Sequence, residues 1–405
     1  MAEEALRAAE AAARASYGRL IAFLAAQSRD VAAAEDALGD ALRAALEIWP
    51  RDGVPNRPEA WLLTAARRRL IDRQRHERVQ DDARDVLAAM ITDSDPPGVV
   101  PDKRLELLFV CAHPAIDAAV RTPLMLQAVL GLDAARIGAA FLVPPGTMGQ
   151  RLVRAKTKIR EAGIAFDMPE KAEMAPRLEA VLEAIYACYG VGWDEATGAD
   201  DAGRDLVDEA MWLARLVAEL LPDEPEVKGL LALMLHCEAR RNARRDRDDR
   251  YVPLSQQDTS LWSRPMMVEA ERWLAEAARC CRLGRFQLEA AIQSAHAERA
   301  RSGTVDWSAI EHLYAGLTAI APSVGALLGQ AAAVAEARDA ADGLALLDRL
   351  PSAAVVTHQP YWALRADLLR RLGRREEARG AYERALGLTQ DGAVRQFLLA
   401  RLNAR

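Results

Sequence analysis

Apolar residues recur along this chain with the period of an α-helix, and β-branched runs are scarce. From Pro58 to Arg78, Leu62, Leu63, Ala66 and Leu70 fall on one helical face, with Trp61, Arg68 and Arg75 opposite. Pro58 suits a first helical turn and Glu59 its positive end. From Leu132 to Gly163 the pattern is two helices joined by a tight turn. Ala134 to Phe141 makes the first helix, with Ile137 and Phe141 inward. Leu142-Val143-Pro144-Pro145-Gly146 makes the turn, where prolines withhold amide donors and stop the helix. Thr147 is expected to cap the second helix. There Met148, Leu152, Ala155 and Ile159 form an apolar stripe, while Gln150, Arg154 and Thr157 face away, flanked by Arg151 and Lys158. A recognition helix needs such an apolar back and a polar front for base edges and phosphates.

Helical periodicity lapses at Thr92 to Gly98, at Phe166-Asp167-Met168-Pro169, between Gly190 and Gly203, and over the charged stretch Arg240 to Arg250. These breaks divide the chain into a helical domain at 1–80, a linker at 81–101, a helix-turn-helix domain at 102–165, a helical extension at 170–300 and a tail at 301–405. In the tail, Trp362, Gly373, Ala378, Tyr382 and Ala385 stand at tetratricopeptide spacing, and Ala326 to Leu350 is a weaker copy. Small residues let paired helices approach, and Trp362 and Tyr382 fill the space between turns. The expected fold is all-α: two small helical domains followed by a helical-repeat-like extension.

Composition narrows the chemistry. A net charge of −6 excludes a uniformly basic nucleic-acid binder, so any DNA contact rests on local charge. Between Trp61 and Gln80 six arginines face two acidic residues, with Asp72 in pairing reach of Arg68 and Arg75. Five cysteines, none in a Cys-x-x-Cys pair, read as buried thiols of a reduced cytoplasmic protein. Met1 to Arg19 lacks an apolar signal core, and no apolar run reaches membrane-spanning length. The sequence holds no phosphate-binding glycine loop, no His-Glu-x-x-His and no serine elbow, so neither a catalytic residue nor a cofactor is assigned. His113, His236 and Cys237 fit no metal spacing and read as packing, and no metal is assigned. Asp223, Glu224, Glu226 and the stretch Arg240 to Arg250 read as solvated charge.

Three blocks carry a family resemblance. Pro58 to Arg67 with Asp72 and Arg75 resembles the promoter-melting helix of extracytoplasmic-function sigma factors of the sigma-70 superfamily. Ala34-Glu35-Asp36-Ala37-Leu38 with Asp40 resembles their polymerase-docking helix, and Arg151 to Lys156 their σ4 recognition helix. A narrower resemblance covers most of the chain. Pro101 to Leu105, Cys111 to Pro114, Leu220 to Glu226, Gly229 to Met234, Gln257-Asp258 with Trp262, and Phe286 to Leu288 with Ala290 to Ile292 are similar to the subgroup with a tetratricopeptide-like C-terminal extension. Gly39, Arg68, Arg136 and Pro145 depart from the family pattern.

The resemblance implies a σ2-like domain, a helix-turn-helix σ4-like domain and an extension that regulates them. It implies that Glu35, Asp36 and Asp40 dock on core RNA polymerase at the β′ clamp helices, with the β flap as a second contact. Thr147, Gln150, Arg151, Arg154 and Lys158 would meet the minus-thirty-five element of promoter DNA, and Trp61, Arg68 and Arg75 the melted minus-ten element. For Trp61, half-buried packing is the favoured alternative. The extension is expected to bind a peptide, a protein or the chain's own σ domains. Two other functions stay open: a helix-turn-helix regulator independent of polymerase, and a helical-repeat scaffold with degenerate DNA-binding modules.

Overall fold

A computed structural model describes residues 2–80, 101–141, 143–195, 201–389 and 391–403. The fold is all-α. Among the described residues the extended pairing is a single isolated bridge between Arg245 and Tyr251. The chain divides into two compact units, Met1–Leu213 and Ala214–Arg405. The expected linker at 81–101 lies, but for its last residue, outside the described residues.

The first unit opens with α1 (Ala2–Ser28), α2 (Val31–Asp52) and α3 (Pro58–Gln80), which pack on one another. A left-handed Arg29 turns the chain between α1 and α2, and the Asp30 carboxylate accepts from the Ala33 amide at 3.1 Å to cap α2. Gly53, with φ of +88°, ends α2 by returning its amide to the Trp49 carbonyl. Leu20, Ile21, Leu24, Leu38, Trp49, Leu62 and Leu63 are buried between the three helices. Arg19 of α1 pairs with Glu59 of α3 at 2.7 Å.

Next come α4 (Arg104–Cys111), α5 (Ala118–Ala128), α6 (Ala134–Ala140) and α7 (Pro145–Glu161). The first two pack on α1, and α7 packs on α5, α6 and α2. The chain continues through α8 (Lys171–Glu195), which lies on α4 and α5, into α9 (Asp201–Leu220). Within the lapse expected from Gly190 to Gly203, α8 runs on to Glu195 and α9 starts at Asp201, while residues 196–200 lie outside the described residues. Arg104 is buried: it donates to Asp102 at 2.9 Å, pairs with Glu209 of α9, and lies 3.7 Å from the centre of the Trp212 ring. The quoted block Pro101 to Leu105 thus supplies a clamp between α4 and α9.

The second unit begins with α10 (Pro225–Ala239), which packs on α11 (Arg264–Ala278) and α12 (Arg285–Ala297). Glu226 is not solvated as expected. Its carboxylate accepts from the amides of Phe286 and Gln287 at 2.9 and 3.2 Å, capping α12 from another helix. Glu224 pairs with Arg282 at 3.2 Å. Gly229 and Gly284 permit this approach, since a Cβ at Gly229 would lie 2.6 Å from the Gln287 nitrogen. Arg240 to Arg250 is exposed over its second half, as expected, and carries fixed contacts: Asp246 accepts from the Asp248 and Arg250 amides at 2.9 Å, and Arg245 reaches Asp391 at 3.2 Å.

Beyond α13 (Arg299–Ser302) follow α14 (Trp307–Ile320), α15 (Val324–Ala337), α16 (Ala340–Leu347), α17 (Ser352–Val355), α18 (Gln359–Arg371), α19 (Arg375–Leu388) and α20 (Gly392–Asn403). Contacts run from α14 to α15, α15 to α16, α16 to α18, α18 to α19 and α19 to α20, as in a solenoid. The tetratricopeptide residues Ala378, Tyr382 and Ala385 are buried, and Gly373 makes the left-handed turn between α18 and α19. Tyr361 is the more buried aromatic of α18. Trp362 is half-buried, packs edge-on against it, and donates to the Val356 carbonyl at 3.2 Å.

Of the cysteines, Cys111 and Cys188 are buried, Cys237 and Cys280 partly so, and Cys281 is exposed, so not every thiol is interior as expected. No described helix is long and apolar enough to cross a membrane. Among the described residues, no cluster of three or more His, Cys, Asp and Glu side chains could hold a metal ion.

Two glycine substitutions separate these environments. Gly229→Ala forces a Cβ into the α12 backbone and is expected to cost about 1–3 kcal/mol in urea denaturation. Gly39→Ala, on an exposed face of α2 with open space around it, is expected to add about 0.5–1 kcal/mol.

Candidate nucleic-acid interface

The helix-turn-helix is built by short-range constraints. Asp133 accepts from the amides of Ala135 and Arg136, both at 2.8 Å, and so starts α6. The chain leaves α6 with the Val143 amide donating to the Gly138 carbonyl at 2.8 Å. A Cβ at Gly138 would come within 2.6 Å of the Val143 oxygen, so this turn admits glycine alone at that position without a shift.

Helix α7 starts at Pro145, with Pro144 in the cap position and no side chain bonding to the first turn. Thr147 sits inside that turn and is exposed, because two prolines with preset φ initiate the helix ahead of it. Its expected capping role is therefore not the arrangement found.

The amphipathic reading of α7 matches its exposure. Met148, Leu152, Ala155 and Ile159 are buried against α5, α6 and α2. Gln150, Arg151, Arg154 and Lys158 are exposed, and Thr157 is half-buried. Val153 stands 63% exposed among them, a residue that periodicity alone did not single out. From Pro145 to Arg160 the helix carries no acidic residue, so its open face is cationic.

On α3, Leu62, Leu63, Ala66 and Leu70 are buried as expected and Arg68 is exposed. Trp61 is half-buried and meets the buried Trp49 edge-on, with ring centres 5.5 Å apart at 70°. Asp72 is exposed, and Arg73 pairs across to Asp36 of α2 at 2.8 Å. The side chain of Arg75 lies outside the described residues.

The acidic trio of α2 separates into different environments. Asp40 is near the surface and pairs with Arg43 at 3.1 Å, and Asp36 holds Arg73. Glu35 points the other way, into the contact with α7, where it pairs with Lys156. Lys156 is 8% and Glu35 19% exposed, and Asp30 meets Arg160 at 3.3 Å beside them. Burial pushes the Glu35 carboxyl above its ordinary range, and Lys156 pulls it partly back. Burial likewise drives up the Tyr17 hydroxyl and the Cys111 thiol, with Glu35 adding to both. Cys111 is thus a packed, unreactive thiol. The buried pairing of Lys156 was not read from the sequence, because the residue lies next to the cationic front. Its position one residue after Ala155, on the rim of the apolar stripe, was the available signal.

A family model described as a family of unknown function (DUF6596) matches residues 177–278, from within α8 to the end of α11. An uncharacterized protein of Rhizobium meliloti (strain 1021) is 36% identical over 387 residues, which span 93% of this chain and 90% of that protein. The chain belongs to the family of that protein. The shared span takes in both the N-terminal helices and the extension. No solved structure matches the chain.

The buried pair generates a prediction. Glu35→Gln leaves an ammonium unpaired in the α2–α7 contact and is expected to cost about 3–5 kcal/mol. Glu35→Gln combined with Lys156→Met is expected to recover most of that loss in a denaturant double-mutant cycle. Equal destabilisation by the single and double variants would contradict the burial of the pair.

Proposed function

We propose that this chain is a sigma factor, which binds core RNA polymerase and directs promoter recognition and transcription initiation. The observation that carries the reading is the acid-free open face of α7, presented behind a helix-turn-helix whose apolar back is fully packed. Gln150, Arg151, Arg154 and Lys158 have the chemistry to read base edges and neutralise phosphates of the minus-thirty-five duplex. Thr147 and Val153 border the same face, and an exposed valine suits a thymine methyl group. On α3, Arg68 and Arg75 would contact the melted minus-ten strand. The edge contact of Trp61 with Trp49 favours a packing role for Trp61 over base stacking.

Polymerase docking falls to Asp36 and Asp40, the two carboxylates of the trio that reach the surface. Glu35 joins them once α7 leaves α2, so polymerase binding and the Glu35–Lys156 contact compete. Helix α8, packed on α4 and α5, and α9, tied to α4 through Arg104, give the extension a direct grip on the σ4-like helices. This is the basis for its role as a built-in regulator. The function requires the cytoplasm and no catalytic residue, cofactor or metal of the chain's own.

Run-off transcription with bacterial core polymerase tests the proposal. The full chain is expected to start transcripts at defined sites. Arg154→Ala is expected to lower duplex promoter binding by about ten- to a hundredfold, the equivalent of one lost base-reading pair. A full chain that neither associates with core polymerase nor starts any transcript refutes the reading.

A further inference from the structure

The second unit contains a group of nitrogen donors short of acceptors. Gln293, His296 and Arg299 follow one another at three-residue spacing along α12 and into α13, and so share a face. At one end of that face Arg240, just past the end of α10, donates to the Gln293 side-chain oxygen at 2.6 Å and to the Cys237 sulfur at 3.6 Å. At the other end Arg299 donates to the carbonyls of Ser255 and Gln257 at 2.6 and 2.7 Å, 5.1 Å from the centre of the Trp262 ring. Between them His296 rests edge-on against Trp307, 5.4 Å away. Neither arginine meets a carboxylate; both lean on neutral acceptors.

Two further side chains in this neighbourhood lack a hydrogen bond. The Trp262 indole N–H is buried without a hydrogen-bond partner. His236, one turn before Arg240 and 2% exposed, has no hydrogen bond at either ring nitrogen. Its nearest carboxylate oxygen, on Glu271 of α11, stands at 3.4 Å and accepts from Ser294. The remaining charged neighbours are committed or peripheral. Glu289 pairs with Arg285, Arg241 pairs with Glu238, and Tyr314 of α14 is a hydroxyl held neutral by burial.

Gathering guanidinium groups without counter-charge costs free energy in a half-buried setting. The carbonyl end of α10 offsets part of this for Arg240. The rest remains, and its signature reaches the neighbours. His296 is pushed down to about 4, first by burial and then by Arg240 and Arg299. Arg299 is lowered by burial and then by Arg240.

We propose that Arg240 and Arg299, with His296 between them, form a binding site for a phosphate group of a small molecule. Guanidinium forks match the oxygens of such a group bidentately, and each charge-assisted bond would replace a neutral one. All three side chains are partly exposed, so the group can enter from solvent. The site belongs to the extension and stands independently of the promoter reading.

The test uses the full chain, with inorganic phosphate and glucose 6-phosphate as probes at ionic strength fixed with sodium chloride. Melting temperature is expected to rise with the logarithm of phosphate concentration. The His296 ring, followed by NMR, is expected to titrate at higher pH with phosphate than without. The sign follows from its lowered value. Between pH 6.5 and 4 the unfolded chain binds more protons at this position, so stability falls with acid, and a bound anion reduces that loss. A response to glucose 6-phosphate at lower concentration identifies a metabolite as the source, and a response to inorganic phosphate alone identifies the free ion. Arg240→Gln and Arg299→Gln should each weaken binding about tenfold, the equivalent of one charge-assisted bond. Gln293→Glu, at a partly exposed position, is expected to keep the fold and to place a carboxylate beside Arg240; it should raise the melting temperature and abolish the phosphate response. Melting and His296 titration indifferent to both probes in the native chain, or an undiminished response in Gln293→Glu, overturn the proposal.

Discussion

The ion pair between Glu35 of α2 and Lys156 of α7 is the constraint that fixes the first unit. Both charges are largely withdrawn from water, and neither is tolerable there without the other. The apolar stripe of α7 would accept many partners, since methylene surface carries no directional information. A buried ammonium accepts few. The pair therefore selects the register in which α7 sits on α2, where packing alone would leave it loosely specified. The neighbouring Asp30–Arg160 contact, with its arginine in solvent, adds little to that selection. The same contact decides which acidic residues face outward, so the local electrostatics of α2 are set from α7.

Much of this was legible in the sequence, for reasons that differ by element. The buried faces of α3 and α7 followed from periodicity, because a helix that must hide four apolar side chains has one way to do so. The helix-turn-helix followed from Pro144 and Pro145, whose missing amides forbid a continuous helix. The start of α7 was misplaced by three residues, because a proline with preset φ begins a helix without a side-chain cap. Long-range pairings were not legible. Nothing in the spacing of Glu35 and Lys156, or of Glu226 and Phe286, announces that they meet. Charged residues taken for solvated ones, Glu226 among them, proved to be caps and clamps. A carboxylate four residues from its partner leaves a trace in the sequence; one sixty residues away leaves none.

The residues that carry the family resemblance in the extension turn out to be joints. Glu226 closes the start of α12, Gly229 and Gly284 make room for it, and Asp258 caps the short turn that leads to Trp262. Such positions resist substitution for geometric reasons, whatever the extension binds. Their presence shows that the helices are held in a defined arrangement, and it does not by itself locate a ligand. The arginines without carboxylates differ in kind: they are stabilised less than their surroundings permit, which is the condition under which a ligand gains affinity.

Arg104 bears on how the chain can be divided. The polar run near residue 167 looks like a natural end for the helix-turn-helix half, and a fragment stopping there would seem complete. It would carry away Asp102 and leave behind Glu209 and the Trp212 ring, exposing a guanidinium seat and the flanks of α4 and α5 that α8 covers. Helix α8 and the part of α9 up to Leu213 thus belong to the same compact unit as the helix-turn-helix, and a defect introduced at Glu209 is felt in α4 as the loss of a partner for its buried guanidinium.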